Sequence, residues 1–277
     1  MAADKHGRRG DPPPAPEPLP LPVADAHTHL YLQDPDPTAV VEAARAVGVD
    51  RIVEVGCDVP SSRGAARLAA TIPAVLAAVA VHPNDAARMP DLDDALAAID
   101  ELAAQPRVRA VGETGLDHFR TGPEGRDTQE RSFRAHIQIA KSRGKALMIH
   151  DRDAHADIFR VLESEGAPDT VVFHCFSGDA EMAQRCAEHG WYVSFAGNVT
   201  FRNAQQLRDA AAVLPAELML VETDAPFLTP MPYRGRPNAP YLVPLTVRAL
   251  AETKGLPVER LCATLSDNAD AVFGTWA

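Results

Sequence analysis

The chain has 277 residues, 46% hydrophobic, 23% charged and only 5% aromatic, a composition that excludes collagen, coiled coil and wholesale disorder and suits one large domain. Thirty-eight acidic against 27 basic residues leave a net charge of -11, which argues against holding long nucleic acid or an anionic membrane through the global field, so any polyanion must be gripped locally. The longest apolar run, Ala74 to Val81, is far short of the roughly 20 residues that span a bilayer, and no membrane partner is expected. Cys57, Cys175, Cys186 and Cys262 form no CxxC pair, so neither a zinc ribbon nor a disulfide framework is indicated and a cytoplasmic location is the simplest expectation.

The chain begins with a proline-rich stretch. Arg8-Arg9 is not followed by an apolar export segment, because Asp11 to Pro22 holds seven prolines; residues 1–22 are predicted to be a disordered leader ahead of a domain at 23–277. From Val23 onward, short β-branched or alanine-rich runs alternate with amphipathic stretches of 12 to 18 residues. The eight runs are Val23 to His27, Arg51 to Val55, Val75 to Val81, Val108 to Gly112, Ala146 to Ile149, Thr170 to Phe173, Trp191 to Phe195 and Leu218 to Val221. Several, such as Val171-Val172 and Leu218-Met219-Leu220, are continuously apolar, as parallel strands buried on both faces should be. Asp91 is placed to cap a helix, and Gly48, Gly144, Gly166 and Gly190 stand where helices should stop. This alternation predicts the α/β class, a (β/α)8 TIM barrel.

In such a barrel, polar residues directly after an apolar run stand at the mouth, where sites are built. Five of the eight runs end this way, giving Asp25, His27 and His29 at the first, Glu113 at the fourth, His150 at the fifth, His174 at the sixth, and Glu222 and Asp224 at the eighth. Alternation in extended backbone sends His27 and His29 to the same side, so both imidazoles can grip one ion. Four histidines and two carboxylates exceed one tetrahedral shell but suit two divalent ions bridged by a carboxylate, with Glu113 the natural bridge. Imidazole and carboxylate without thiolate favour Zn, Mn, Fe or Ni, and accept Mg less readily.

Six stretches carry a resemblance. Asp25-Ala-His-Thr-His-Leu30, Val81-His-Pro83, Gly112-Glu-Thr-Gly-Leu-Asp117, Ile149-His-Asp-Arg-Asp-Ala154, His174-Cys-Phe-Ser-Gly178 and Glu222-Thr-Asp-Ala-Pro-Phe-Leu-Thr-Pro230 resemble, in order, the signatures of the TatD family of metal-dependent deoxyribonucleases. The resemblance spans about residues 23 to 275. It implies a metallohydrolase cleaving phosphodiesters in DNA, with two divalent ions (Mg, Mn or Zn) held by His27, His29, Glu113, His150, His174 and Asp224. None of the lysines, Lys5, Lys141, Lys145 and Lys254, is placed to reach the mouth, which separates the chain from barrels that use a carbamylated lysine as the bridge. Two positions depart from the family pattern and bear on substrate preference: Tyr31 stands where an acidic residue is usual, and Ala239 where the loop Arg234-Gly-Arg-Pro-Asn-Ala-Pro240 would carry a glutamate.

Asp224 and Glu113 are assigned as catalytic, Asp224 to orient a water and accept its proton. His82, Arg152 and Arg234 are assigned to the substrate, with Arg120, Arg202 and Arg236 as further arginines near the mouth, and Asp25, His118, His155 and Glu222 to fixing the ligands. The leading expectation is a monomeric 3′ to 5′ exonuclease on single-stranded or damaged DNA ends. The alternatives are a small-molecule amidohydrolase or deacylase on the same barrel, and a non-enzymatic metal-bound scaffold.

Overall fold

A computed structural model describes residues 10–33 and 36–276. Each of the eight apolar runs is a strand: β1 (Val23–Thr28), β2 (Val49–Gly56), β3 (Val75–Val79), β4 (Val108–Asp117), β5 (Ala146–Arg152), β6 (Val171–Phe173), β7 (Tyr192–Phe195) and β8 (Met219–Val221). They form one sheet in sequence order, β1 to β8. The helices between and after them are α1 (Pro37–Arg45), α2 (Val59–Thr71), α3 (Pro83–Ala86), α4 (Leu92–Ala103), α5 (Pro123–Arg143), α6 (His155–Glu165), α7 (Ala180–Glu188), α8 (Gln205–Val213), α9 (Val243–Lys254) and α10 (Val258–Phe273). This is the (β/α)8 barrel class. Every residue of β1, β3, β6 and β8 is buried, the consequence of continuous apolar runs with helices on the outer face. No helix among the described residues is long and apolar enough to cross a membrane.

Two units divide the chain, one comprising residues up to Val53 with Gly178–Ala271 and Trp276, the other Glu54–Ser177 with Val272–Thr275. In the first, β7 pairs parallel with β8 from Val193↔Met219 to Phe195↔Val221, and a parallel bridge from Thr28 to Ala225 joins the end of β1 to the chain just past β8.

In the second unit, β3, β4, β5 and β6 pair in parallel. The β4 strand runs five residues beyond the expected end at Gly112, because pairing with β5 resumes after an irregularity: Val111 faces Leu147 and Thr114 faces Ile149, one residue too many on β4. Such a bulge re-aims side chains, and Glu113 lies within it. Glycine is needed on both sides. A Cβ on Gly112 would stand 2.4 Å from the Met148 Cβ, and one on Gly115, at φ +141°, would stand 2.1 Å from the His150 carbonyl oxygen.

The described part of the predicted leader is held to the chain that follows. Residues 10–22 have no helix or strand before β1, yet they are tied to the first unit. Arg236 donates to the carbonyls of Asp11 (2.8 Å) and Pro12 (3.0 Å), Tyr241 Oη to that of Pro13 (2.6 Å), and Arg248 to that of Pro18 (3.1 Å). Leu19 is buried and its amide donates to Val47 O at 3.0 Å. Proline has no N–H but keeps its carbonyl, so an extended proline-rich segment is a row of acceptors that arginine and tyrosine can bind without a sheet. Residues 1–9 of that leader lie outside the described residues. Asp91 does sit at the start of α4, but its side chain makes no capping hydrogen bond.

Candidate metal centre

The first unit brings His27, His29 and Asp224 together, one ligand atom from each lying within 4.8 Å of the others. The two Nε2 atoms are 3.3 Å apart, and Asp224 Oδ1 lies 3.9 Å from His27 Nε2 and 3.5 Å from His29 Nε2. Backbone geometry holds them there. Asp224 adopts φ 52°, a left-handed conformation costly for a residue with a Cβ, and its amide donates to His27 O at 2.9 Å. Beneath them Asp25 accepts from the amides of His27 (3.3 Å) and Thr223 (2.9 Å) and from Thr223 Oγ1 (2.5 Å). Burial pushes the Asp25 carboxyl up to about 8, against the pull of these hydrogen bonds and with the nearby Glu222 raising it further. Asn238 donates to the carbonyls of Thr223 (3.0 Å) and Phe227, bracing the loop on either side of Asp224.

The second unit gathers donors around Glu113. His82, Glu113 and His150 each offer a ligand atom within 4.8 Å of the others. Glu113 Oε2 lies 2.8 Å from His174 Nε2, 3.2 Å from His150 Nδ1 and 3.9 Å from His82 Nε2, while Cys57 Sγ donates to Oε1 at 3.3 Å. Burial raises the Glu113 carboxyl, but His174 and the hydrogen bond from His150 outweigh it and leave it well below the usual carboxylate range. Asp117, at the end of β4, takes the other side of His150, with Oδ2 3.3 Å from Nε2. It is itself held by Asn84 Nδ2 (2.8 Å) and by the amides of Phe119 (3.0 Å) and Arg120 (2.7 Å). Burial opposes a charge on His150, but the two carboxylates prevail and raise its pKa. His82 behaves differently: burial lowers it to about 3, so it is neutral. Its Nδ1 accepts from the Asn84 amide at 3.1 Å, which leaves the ring proton on Nε2, facing Glu113.

These imidazole and carboxylate donors are the chemistry a divalent cation takes, and each set is compact enough to share one. Other assigned residues lie in different company. The Arg152 guanidinium stacks over the Phe119 ring at 4.1 Å, and that of Arg234 over Phe201 at 4.3 Å. His118 Nδ1 is 3.9 Å from Asp157 on α6, and His155 Nδ1 is 2.8 Å from Asp151, so these two contacts run to carboxylates outside the predicted ligand set. Glu222 is fully buried, with its amide donating to Phe195 O at 3.1 Å. Arg236 is engaged by the N-terminal segment. Sequence reasoning assigned no role to Asp117, Asn84 or Cys57. Asp117 closes the Gly112-Glu-Thr-Gly-Leu-Asp117 motif, and reading β4 through its polar half would have found it.

Comparison with known proteins places the chain in a family. Residues 24–274 match the family model described as TatD related DNase. A Mycobacterium tuberculosis protein named as uncharacterized metal-dependent hydrolase TatD is 47% identical over 240 residues, covering 85% of this chain and 90% of the relative. The 3′-5′ ssDNA/RNA exonuclease TatD of Escherichia fergusonii is 35% identical over 242 residues, covering 85% of this chain and 92% of the relative. Among solved structures, the TatD homologue YJJV of Escherichia coli superposes with a TM-score of 0.84 at 26% identity, covering 91% of this chain and 98% of that one. The chain belongs to the TatD-related DNase family of metal-dependent hydrolases.

Proposed function

We propose that the chain hydrolyses phosphodiester bonds in DNA as a monomeric, cytoplasmic 3′ to 5′ exonuclease on single-stranded or damaged ends. The observation that carries this reading is the pair of donor sets at strand ends, His27, His29 and Asp224 in one unit and, in the other, Glu113 with His150 and His174 at 3.2 and 2.8 Å from its Oε2, in a chain related to a named single-strand exonuclease. Two divalent ions, Zn, Mn or Mg, would supply Lewis acidity toward the phosphoryl oxygens and lower the pKa of a water to about 7. Glu113 contributes a buried negative charge, kept ionised by its imidazole neighbours. Asp224, its side chain 14% exposed, orients the attacking water and accepts its proton at a carboxylate oxygen. Asp117 fixes the ring of His150, and His82 offers its Nε2 proton to a phosphoryl oxygen. Arg152 and Arg234, with guanidinium planes set by stacking on phenylalanines, are each suited to grip a phosphate.

A chain of net charge -11 has no long basic track, so strands are gripped at an end and released often. The test is end-labelled linear DNA and RNA oligonucleotides, beside covalently closed single-stranded circles, given to metal-stripped protein with each divalent ion in turn. Distributive shortening of linear strands from the 3′ end is expected, with circles resistant and a log-log salt slope of about -2 for two or three neutralised phosphates. Efficient cutting of circles, or a slope steeper than about -5, overturns the exonuclease reading.

A further inference from the structure

Tyr31 stands where the family pattern has an acidic residue. It sits in the single turn Leu30–Leu32 directly after His29, with its side chain pointing away from the core: Tyr31 is 39% exposed while Leu30 beside it is 1% exposed. From the other end of the same unit, Phe227 emerges three residues after Asp224 and is 43% exposed. Both rings meet the imidazole of His29 edge-on, Tyr31 at a centroid distance of 5.8 Å and Phe227 at 6.3 Å. Their backbones are pinned, since Leu32 N donates to His29 O (3.1 Å), Phe227 N to Asp224 O (2.8 Å), and Asn238 to Phe227 O. Two large aromatic side chains are thus fixed beside a candidate metal ligand while their surface stays in water, an arrangement that folding alone does not favour.

We infer that Tyr31 and Phe227 form a stacking subsite for the unpaired nucleobase next to the scissile phosphate. The inference rests on the nuclease reading and deepens it. Every base has a π face, so stacking on a fixed aromatic ring binds single strands with little regard to sequence, and a base held in a duplex must first be unstacked. An acidic side chain at position 31 would face the substrate phosphates with like charge, whereas a tyrosine presents a neutral ring.

Oligonucleotides ending in ordinary nucleotides and matched ones ending in abasic residues separate this subsite from the rest of the site. The wild type should show a KM about tenfold lower on the ordinary ends, the scale of one base–aromatic stack. Tyr31→Ala and Phe227→Ala should each lose most of that discrimination, and Tyr31→Phe should retain it. Binding of a 2-aminopurine-terminated strand in chelator, read by fluorescence quenching, should weaken in the same order without any turnover. Equal KM for ordinary and abasic ends in the wild type overturns the subsite while leaving the nuclease intact. Failure of the wild type to cut either strand with any divalent ion defeats the nuclease reading and the subsite with it.

Discussion

The donors around Glu113 and those around Asp224 are held by different means. Glu113 is 5% exposed and stands in a web of side chains, with His150 between it and Asp117, and Asp117 in turn tied to Asn84 and two backbone amides. Asp224, more open to solvent, is placed by its own backbone: a left-handed φ, an amide bound to His27 O, and a loop braced by Asn238. A buried carboxylate needs partners to remain charged, whereas one near water needs only to be aimed. Damage should therefore spread through the first set and stay local in the second.

The largest effect is expected at Glu113. Glu113→Gln removes the charge on which three imidazoles converge, and hydrolysis should fall by more than about a hundredfold, beyond the range for groups that merely orient a ligand, with the circular dichroism spectrum unchanged. Retention of a tenth of the wild-type rate at saturating metal would remove Glu113 from the centre. Asp224→Asn should come next and behave locally, reducing kcat about a hundredfold with KM nearly constant, since water activation is lost and binding is not. A change in KM alone would end its role as base. Asp117→Asn tests how far damage spreads from a residue outside the ligand set; activity or metal affinity should drop about tenfold or more because His150 loses an oriented partner.

Smaller effects belong to stability. Deleting residues 1–18 strips acceptors from Arg236, Tyr241 and Arg248, and the melting temperature should fall by about 5 °C; an unchanged value would mean that these contacts contribute nothing. On the outer surface, Arg160 and Arg134 hold the Glu130 carboxyl down at about 2, below its ordinary 4.5. Its stabilisation is present above pH about 4.5 and lost as pH falls toward 2, so Glu130→Gln should lower the melting temperature by only about 1 to 2 °C at pH 7 and by nothing near pH 2. A difference that persists at pH 2 would contradict the pairing.

All eight strands were legible because buried parallel strands announce themselves as apolar runs, and that His27, His29 and Asp224 gather, as do Glu113, His150 and His174, was legible because barrel sites follow strand ends. What escaped has physical reasons. The polar half of β4 looks like a loop, since its pairing with β5 survives a bulge and two glycines that no hydrophobic pattern marks, and Asp117 went unassigned with it. The N-terminal prolines suggest disorder because the segment holds few large apolar side chains to bury. Their fixation comes instead from carbonyl acceptors meeting Arg236, Tyr241 and Arg248 more than 200 residues away in sequence. Arg152 and Arg234 were placed near the mouth by sequence position, but the rings they stack on are a matter of tertiary contact.

The central claim is that the two donor sets hold two divalent ions on which phosphodiester cleavage depends. It is tested most directly by titrating metal-stripped protein with Zn, Mn or Mg while metal bound per chain and release of 3′-terminal nucleotides are measured on the same samples. The account predicts no cleavage in chelator, two ions bound per chain at saturation, and full activity only once the second is bound. Full activity with one ion or none, or two ions bound without cleavage of any strand, would contradict it.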